Sequence, residues 1–403
     1  MDMNNVSDPK RPRIASVDLI RGAVMIIMAI DHVRVFSGVP AGGPSVGIFF
    51  TRWITHFCAP AFVFLAGTSS FFSGRKSGDL SKHLLIRGAW LIVLELTLLR
   101  VAWTFNFDFA HYEMAGVLWM IGWCMILMAG LVKFPVRVVG AIGLVIIFGH
   151  NLLDSSVRSL LPTLGNTVGS ALLKIVYVGF YAGPISFGHD GPNLIVLYSL
   201  IPWIGVMAAG YAFGSLLTLE QAQRKRICYG IGLGAIALFV ILRGFNLYGD
   251  LWPWVTASNN PNGRPGMPAV LAILNATKYP ASLSFLLMTL GPTIALIPLL
   301  ERANGALAKA VTTVGRVPFF FYVLHIPLIH ALALVVSVIA TGSVNGWLFA
   351  NHPMGNPPPP VGYAWGLWTL YAVWGVAILI LYVPSRWFSE LKSRRTDWWL
   401  RYL

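Results

Sequence analysis

The sequence predicts an all-α membrane protein with about ten transmembrane helices. Of its 403 residues, 56% are hydrophobic and only 11% are charged, a balance far from that of a soluble globular domain. Apolar runs of about 20 residues recur along the chain, and each could cross about 30 Å of hydrocarbon as a helix. Repeated runs of this length exclude both a single membrane anchor and a β-barrel.

The spans follow from these runs in order. The first is Asp18 to Phe36 and the second is Phe49 to Phe72. The remaining eight run from about Leu84 to Phe105, Met114 to Val132, Val138 to Leu153, Leu194 to Leu217, Ile227 to Phe245, Lys278 to Leu300, Val317 to Ala340 and Trp365 to Val383. Residues 154–192 contain a further apolar stretch, which we interpret as an interfacial helix on the outer face. An eleventh span there would move the RKR loop at residues 224–226 to the outside.

The distribution of the cations predicts the topology. The formal net charge is +14, but most of the 29 Lys and Arg lie in alternate short connections and in the two terminal segments. Cytoplasmic loops carry such an excess, so we expect both termini in the cytoplasm of a multi-pass protein of the inner (cytoplasmic) membrane. The expected surroundings are membrane lipids, with no nucleic-acid partner, and a homodimer is compatible with the sequence.

No segment has the composition of a separate soluble domain. We therefore interpret residues 1–403 as one integral-membrane domain, with a transmembrane bundle at 15–383 and an amphipathic cytoplasmic tail at 384–403. The three cysteines, Cys58, Cys124 and Cys228, lie in or beside apolar spans. This pattern indicates neither a disulfide framework nor a metal site.

Ionisable residues in the first two spans are the main candidates for a site. Asp18, Arg21 and His32 share one face of the first span, with Arg21 and His32 about 16 Å apart along the helix. Arg52 and His56 are one turn apart in the second span and point the same way. A charge in hydrocarbon is costly unless it faces a polar cavity or a partner, so these residues suggest a functional site.

The ninth span adds a second pair of candidates. Tyr322 and His325 lie on one face near mid-depth, whereas His330 points about 140° away from His325. We expect an outward-facing polar cavity lined by spans one, two, three and nine. We interpret three other ionisable residues as structural: Glu95, His150 and His330. We expect the remaining histidines in surface loops: His83, His111, His189 and His352.

The same residues allow more than one chemistry. A mid-membrane histidine can act as a general base or as a nucleophile that carries an acyl group. It can equally relay protons in a transporter. His32 could instead be a buried structural residue whose ring is hydrogen-bonded by Asp31. Asp18 and Arg21 could form an ion pair at a membrane edge, or Arg21 could bind an anionic ligand.

Several stretches resemble a known family. These are SVDLIRGAVMIIMAIDHVRVF, TRWITHFCAPAFVFLAGTSSFF, LYSLIPWIGVMAAGYAFG, GRVPFFFYVLHIPLIH and the RRTDWWLRYL tail. Together they are similar to the bacterial branch of the heparan-α-glucosaminide N-acetyltransferase catalytic-domain family. The most specific pieces are D-x-x-R-G in the first span, TRWITHFCAP in the second, and G-x(6)-Y-x-x-H in the ninth.

The resemblance implies a membrane acyltransferase. Such an enzyme takes an acyl group, here expected to be acetyl, from cytoplasmic acyl-CoA and delivers it to a sugar amine or hydroxyl on the far side. Asp18 and Arg21 match the D-x-x-R-G motif, and His325 matches the late Y-x-x-H. We assign acyl-CoA binding to Asp18, Arg21, Arg52 and Tyr322, catalysis to His32, His56, Asp31 and His325, and no metal.

One departure from the family pattern affects the catalytic assignment. The stretch PAGGPSVGIFF, where eukaryotic members carry their proposed acetyl-accepting histidine, has none here. His32 or His56 would have to take that role, with Asp31 orienting His32. The alternative is a transporter or flippase that uses the same cavity without forming a bond, and a third option is a scaffold with a vestigial site.

Overall fold

The computed structural model describes residues 15–41, 45–74, 79–188, 191–254, 268–353, 356–395 and 397–401. Within them the chain forms sixteen α-helices. They are α1 (Ala15–Phe36), α2 (Val46–Trp53), α3 (Cys58–Gly74), α4 (Leu80–Leu94), α5 (Arg100–Thr104), α6 (Val117–Leu131), α7 (Val136–Gly149), α8 (Asp154–Leu160), α9 (Val168–Leu173), α10 (Trp203–Leu216), α11 (Gln221–Gly244), α12 (Ala269–Leu274), α13 (Leu283–Leu300), α14 (Ala306–Arg316), α15 (Pro318–Thr341) and α16 (Leu367–Arg394). The mostly helical class is therefore confirmed.

A small sheet interrupts the helices. Strands β1 (Glu113–Ala115), β2 (Ile185–Ser186) and β3 (Asn193–Val196) form one sheet in the order β1-β3-β2. β1 pairs parallel with β3, and β2 pairs antiparallel with it. The predicted start of the sixth span at Leu194 was wrong, because residues 194–196 are extended in β3 and the helix begins only after Pro202, at Trp203.

Six helical stretches are long and apolar enough to cross a membrane. They are Val46–Gly74, Val136–Leu164, Gln221–Gly244, Leu283–Leu300, Pro318–Thr341 and Leu367–Arg394. Of the other predicted spans, the first is a 22-residue helix that carries four charged residues, and α6 and α10 have only 15 and 14 residues. The total of about ten spans and the cytoplasmic placement of the termini remain predictions.

Two predicted boundaries differ from the structure. The fifth span was expected to end near Leu153, but the helical stretch that starts at Val136 continues to Leu164. The tenth was expected to end at Val383, but α16 runs through Pro384 to Arg394 and includes the first half of the predicted tail. Phe388 of this extension stacks on Phe320 at 4.2 Å, which attaches the end of α16 to α15.

Long-range contacts define two ends of the bundle. Ser81 at the start of α4 bonds the carbonyl of Ala129 near the end of α6. Arg224 at the start of α11 forms an ion pair with Glu301 just after α13. We call the end that contains these connections the basic end, because Lys82, Arg224 and Lys225 lie beside them, and the other end the opposite end. The predicted cations at positions 10, 11, 13, 75, 76 and 264 and His189 lie outside the described residues.

One helix crossing positions the site discussed below. A Cβ on Gly22 of α1 would lie 1.9 Å from the carbonyl oxygen of Val311, and a Cβ on Gly315 of α14 would lie 1.8 Å from that of Asp18. Only glycine allows the two backbones to approach this closely. The D-x-x-R-G and G-x(6)-Y-x-x-H motifs therefore meet at this crossing, which brings Arg21 and Arg316 to one side of the bundle.

Candidate functional site

Two histidines from distant parts of the chain meet inside the bundle. Nδ1 of His32 on α1 lies 2.5 Å from Nε2 of His325 on α15, and the two rings stack with centroids 4.7 Å apart. His325 is fully buried, whereas His32 is partly exposed. Trp103 of α5 packs edge-on against His32 at 4.9 Å and restricts the orientation of its ring.

The partners of this pair determine which nitrogen can react. Nδ1 of His325 lies 2.5 Å from the carbonyl oxygen of Tyr322, and a carbonyl can only accept, so that Nδ1 carries a proton. In a neutral ring Nε2 of His325 then has the lone pair and accepts from Nδ1–H of His32. The remaining lone pair lies on Nε2 of His32, which has no hydrogen bond to any described residue. His32 is thus oriented as a base or nucleophile.

A cavity of about 360 Å³ lies toward the basic end, between α1, α3, α4, α6 and α15. Five basic side chains line it, together with three serines and many apolar residues. They are Arg21, His83, Arg87, Arg316 and Lys392, with Ser69, Ser70 and Ser73. Among the described residues that line the cavity there is no Asp or Glu, which makes it a favourable place for an anion.

Tyr322 connects the cavity to the histidine pair. It lines the cavity, and its ring packs edge-on against His325 at 5.0 Å and against His32 at 6.4 Å. Its hydroxyl makes no hydrogen bond to a residue in the described part of the chain. A group bound in the cavity could therefore contact the phenol, which packs against both imidazoles.

The first motif contributes both an ion pair and a lining cation. Arg21 donates from Nη1 to Asp18 at 3.0 Å and from Nη2 to the hydroxyl of Ser69 at 2.7 Å. Asp18 itself is buried and does not line the cavity. Of the two interpretations left open by the sequence, the ion pair is present, and Arg21 also faces the hollow where an anionic ligand would bind.

The expected pairing of Asp31 with His32 was wrong. Asp31 accepts a hydrogen bond from Nε of Arg34 at 2.8 Å, and Arg34 also donates to the carbonyl of Val39. Residues three apart share a helix face, whereas adjacent ones are rotated by about 100°. The carboxylate therefore pairs with Arg34, and the ring of His32 turns to His325 instead.

His56 and Arg52 lie apart from the cavity, in the opposite half of the bundle. His56 is 3% exposed, its ring packs edge-on against Phe285 at 5.5 Å, and neither ring nitrogen has a partner in the described structure. The outward-facing cavity expected between spans one, two, three and nine stays a prediction, whereas the cavity around Arg21 lies toward the basic end. His32, His325 and Tyr322 pack together, with Tyr322 in the cavity wall, whereas His56 and Arg52 belong to neither group.

Other buried titratable groups are held by structural contacts. His150 contacts the carbonyls of Ile146, Ile147 and Ala281, and the carboxylate of Glu95, in the π-helical turn Glu95–Leu99, accepts the backbone N–H of Leu118 at 2.8 Å. The first turn of α6, part of the cavity wall, is thus fixed by a buried carboxylate.

Sequence reasoning missed several residues of the cavity. His83 and His352 were expected on the surface; His83 lies on α4 and lines the cavity, and His352 is 2% exposed against Trp347. His111 is exposed, as expected. Arg316 could have been found from its place directly after Gly315 in the late motif, but Arg87 and Lys392 carry no local signal. In the described ranges no three His, Cys, Asp or Glu side chains form a metal-binding group.

Comparison with known proteins gives one significant result. The profile of the family described as heparan-alpha-glucosaminide N-acetyltransferase, catalytic, matches residues 13–244. This range covers more than half of the chain and includes Asp18, Arg21, His32 and His56, but ends before Tyr322 and His325. No curated protein matches the chain significantly.

Proposed function

Because the chain belongs to the heparan-α-glucosaminide N-acetyltransferase catalytic-domain family, we propose that it transfers an acyl group from acyl-CoA to a sugar amine or hydroxyl. His32 is the base or transient acyl carrier. The observation that carries this proposal is the lone pair on Nε2 of His32, fixed through His325 by the carbonyl of Tyr322. It lies next to a cavity whose lining cations suit a phosphorylated donor.

The cavity at the basic end is the proposed donor site. Its volume of about 360 Å³ lies in the range of small-molecule pockets, and suits the thioester arm of acyl-CoA rather than the whole molecule. Arg21, Arg87 and Arg316 can hold phosphate groups by charge-assisted hydrogen bonds. Because cation-rich connections are typically cytoplasmic, this donor would enter from the cytoplasm, where acyl-CoA is found.

The transfer can proceed by either of two balanced routes. In the first, Nε2 of His32 takes the proton of the acceptor amine or hydroxyl, the acceptor attacks the thioester carbonyl, and the C–S bond breaks to release CoA, which takes up the proton. In the second, Nε2 attacks the carbonyl itself, the C–S bond breaks to release CoA as a thiolate, and the acyl group rests on His32; the acceptor then attacks it, the N–acyl bond breaks, and the acceptor's proton passes to the thiolate. In both routes the Tyr322 hydroxyl can donate to the carbonyl oxygen as negative charge develops there.

The deciding experiment uses purified protein, radiolabelled acetyl-CoA and a panel of amino-sugar acceptors. We expect labelled sugar from the wild type, loss of labelling by about 10²-fold or more in His32→Ala, and no loss in His111→Ala, which removes an exposed histidine. Label that stays on the protein and is released by hydroxylamine would select the covalent route. Unchanged acetyl-CoA across the panel, together with solute counterflow, would instead identify a transporter and reject the enzyme.

A further inference from the structure

The opposite half of the bundle contains more positive than negative charge. Arg34, Arg52 and Lys278 lie there near the carboxylate of Asp31, and Arg34 already forms an ion pair with it at 2.8 Å. Arg34 and Lys278 exert the largest charge interactions on Asp31. Among the described residues, one carboxylate is therefore close to three cations, and two of the three positive charges have no counter-ion.

Arg52 and Lys278 are these two cations. The guanidinium of Arg52 is partly buried and makes no hydrogen bond or ion pair with any described residue. Lys278 is 8% exposed, and its ammonium lies 5.1 Å from the Tyr279 ring and 6.0 Å from the Tyr198 ring, with no carboxylate partner in the described ranges. Removing a charge from water without a partner is costly, and a cation–π contact recovers only a small part of that cost.

His56 lies within the influence of both cations. Arg52 lies four residues before His56, about one helical turn away, and Lys278 is close enough to act on the ring electrostatically. His56 is 3% exposed, and neither Nδ1 nor Nε2 has a partner in the described structure. Buried polar groups in native proteins are almost always hydrogen-bonded, so a buried imidazole without a partner on either nitrogen, near two cations without a counter-ion among the described residues, is suited to contact an anionic ligand.

We propose that Arg52, His56 and Lys278 form a subsite for an anionic group, a carboxylate or a phosphate, carried by the acceptor. This inference rests on the proposed function, which assigns the cavity around Arg21 to the donor. None of the three residues lines that cavity, so we assign their ligand to the acceptor. A monoanionic carboxylate would neutralise one of the two surplus charges, and a phosphate dianion would neutralise both. An N–H of the His56 ring can donate one of the hydrogen bonds.

The test measures sugar binding in the absence of acyl-CoA. A negative result would then reject the subsite without rejecting the proposed acyl transfer. Purified protein in phosphatidylcholine nanodiscs is titrated with galacturonate and with galactose, which differ by one carboxylate. We expect galacturonate to bind at least about tenfold more tightly, and Arg52→Gln or Lys278→Met to remove about tenfold of that preference. Galactose binding should not change in these variants. The matched control is Lys174→Gln, which removes an exposed cation that bonds the carbonyl of Pro184.

Two outcomes identify the source of the anion and two overturn the proposal. If galacturonate binds less tightly in phosphatidylglycerol nanodiscs than in phosphatidylcholine, the subsite accepts a lipid phosphate; if the two lipids give equal binding, it accepts a soluble acidic sugar. Equal affinity for galactose and galacturonate would overturn the proposal, as would an unchanged preference in both variants. The His32→Ala variant separates the two proposals. Acyl transfer should be lost in this variant, whereas the preference for galacturonate over galactose should remain.

Discussion

His325 and His330 lie five residues apart on α15, yet their surroundings differ. Nε2 of His325 contacts another imidazole, that of His32. The ring of His330 lies between two backbone oxygens, with Nδ1 3.1 Å from the carbonyl of Ala102 and Nε2 2.9 Å from that of Leu348. It is also stacked on Phe105 at 3.7 Å and on Phe36 at 4.5 Å.

The difference shows what separates a reactive histidine from a structural one in the same helix. Both nitrogens of His330 face carbonyl oxygens, so its single N–H bonds one of them, the other encloses its lone pair, and the ring connects α5 to the turn Gly346–Phe349. The pair at His32 and His325 has a single carbonyl contact at one end and a free nitrogen at the other. Changes in the His330 region should therefore alter stability, and changes in the His32 region should alter activity.

The largest expected effect comes from breaking the histidine pair. His325→Leu removes the acceptor for Nδ1–H of His32, so we expect kcat to fall by about 10²-fold. His325→Gln should retain part of the activity, because its amide oxygen can accept the same proton. The measurement is kcat and KM across pH, which separates a positioning role from simple loss of folding. Equal activity of both variants with wild type would contradict the assigned tautomers.

The next effect tests the structural half of the comparison. His330→Leu removes the ring N–H and leaves the buried carbonyl oxygen that it bonds without a donor, at a cost of about 1–3 kcal/mol. We expect a clear fall in Tm, whereas kcat per folded molecule should change little. His111→Leu, at an exposed histidine, is the control and should leave Tm unchanged. A His330→Leu variant that keeps its Tm but loses activity would reverse the comparison.

A third prediction concerns pH, at a histidine beside this structural region. Burial lowers the pKa of His352, in the loop after α15, from its ordinary 6.5 to about 4. The unfolded chain takes up this proton near pH 6.5 and the folded one only near pH 4, so stability should fall as pH decreases from about 6.5 to about 4. Tm measured at several pH values should show this fall in wild type and a smaller one in His352→Phe. Identical pH dependence of the two would exclude His352 as its source.

The smallest effect is expected at the edge of the donor cavity. Arg316→Gln removes one lining cation, so we expect KM for acyl-CoA to rise by several-fold up to about tenfold, with kcat and Tm nearly unchanged. The increase should shrink at high salt, because screening weakens the interaction that was removed. Lys225→Gln, at an exposed cation on α11, is the control. An unchanged KM at low salt would place the phosphates elsewhere.

Part of the site could be predicted from the sequence, because helical periodicity is local. The spacing of Tyr322 and His325 placed them on one face and turned His330 away, and the spacing of Asp18 and Arg21 gave their ion pair. The pairing of Asp31 was wrong although it is also local, because Arg34 at i+3 shares its face and adjacent His32 does not. The ionisable residues within apolar spans indicated which helices contribute to the site, but not which of their side chains contact each other.

The sequence by itself determined that this chain is mostly helical and strongly apolar, because hydropathy is a property of local segments. Only the tertiary structure decided that His32 meets His325, 293 residues away, while His56 is left among unpaired cations. Hydrogen bonds between distant helices depend on how closely their backbones pack. Here that packing is set by Gly22 and Gly315, where no side chain larger than hydrogen fits.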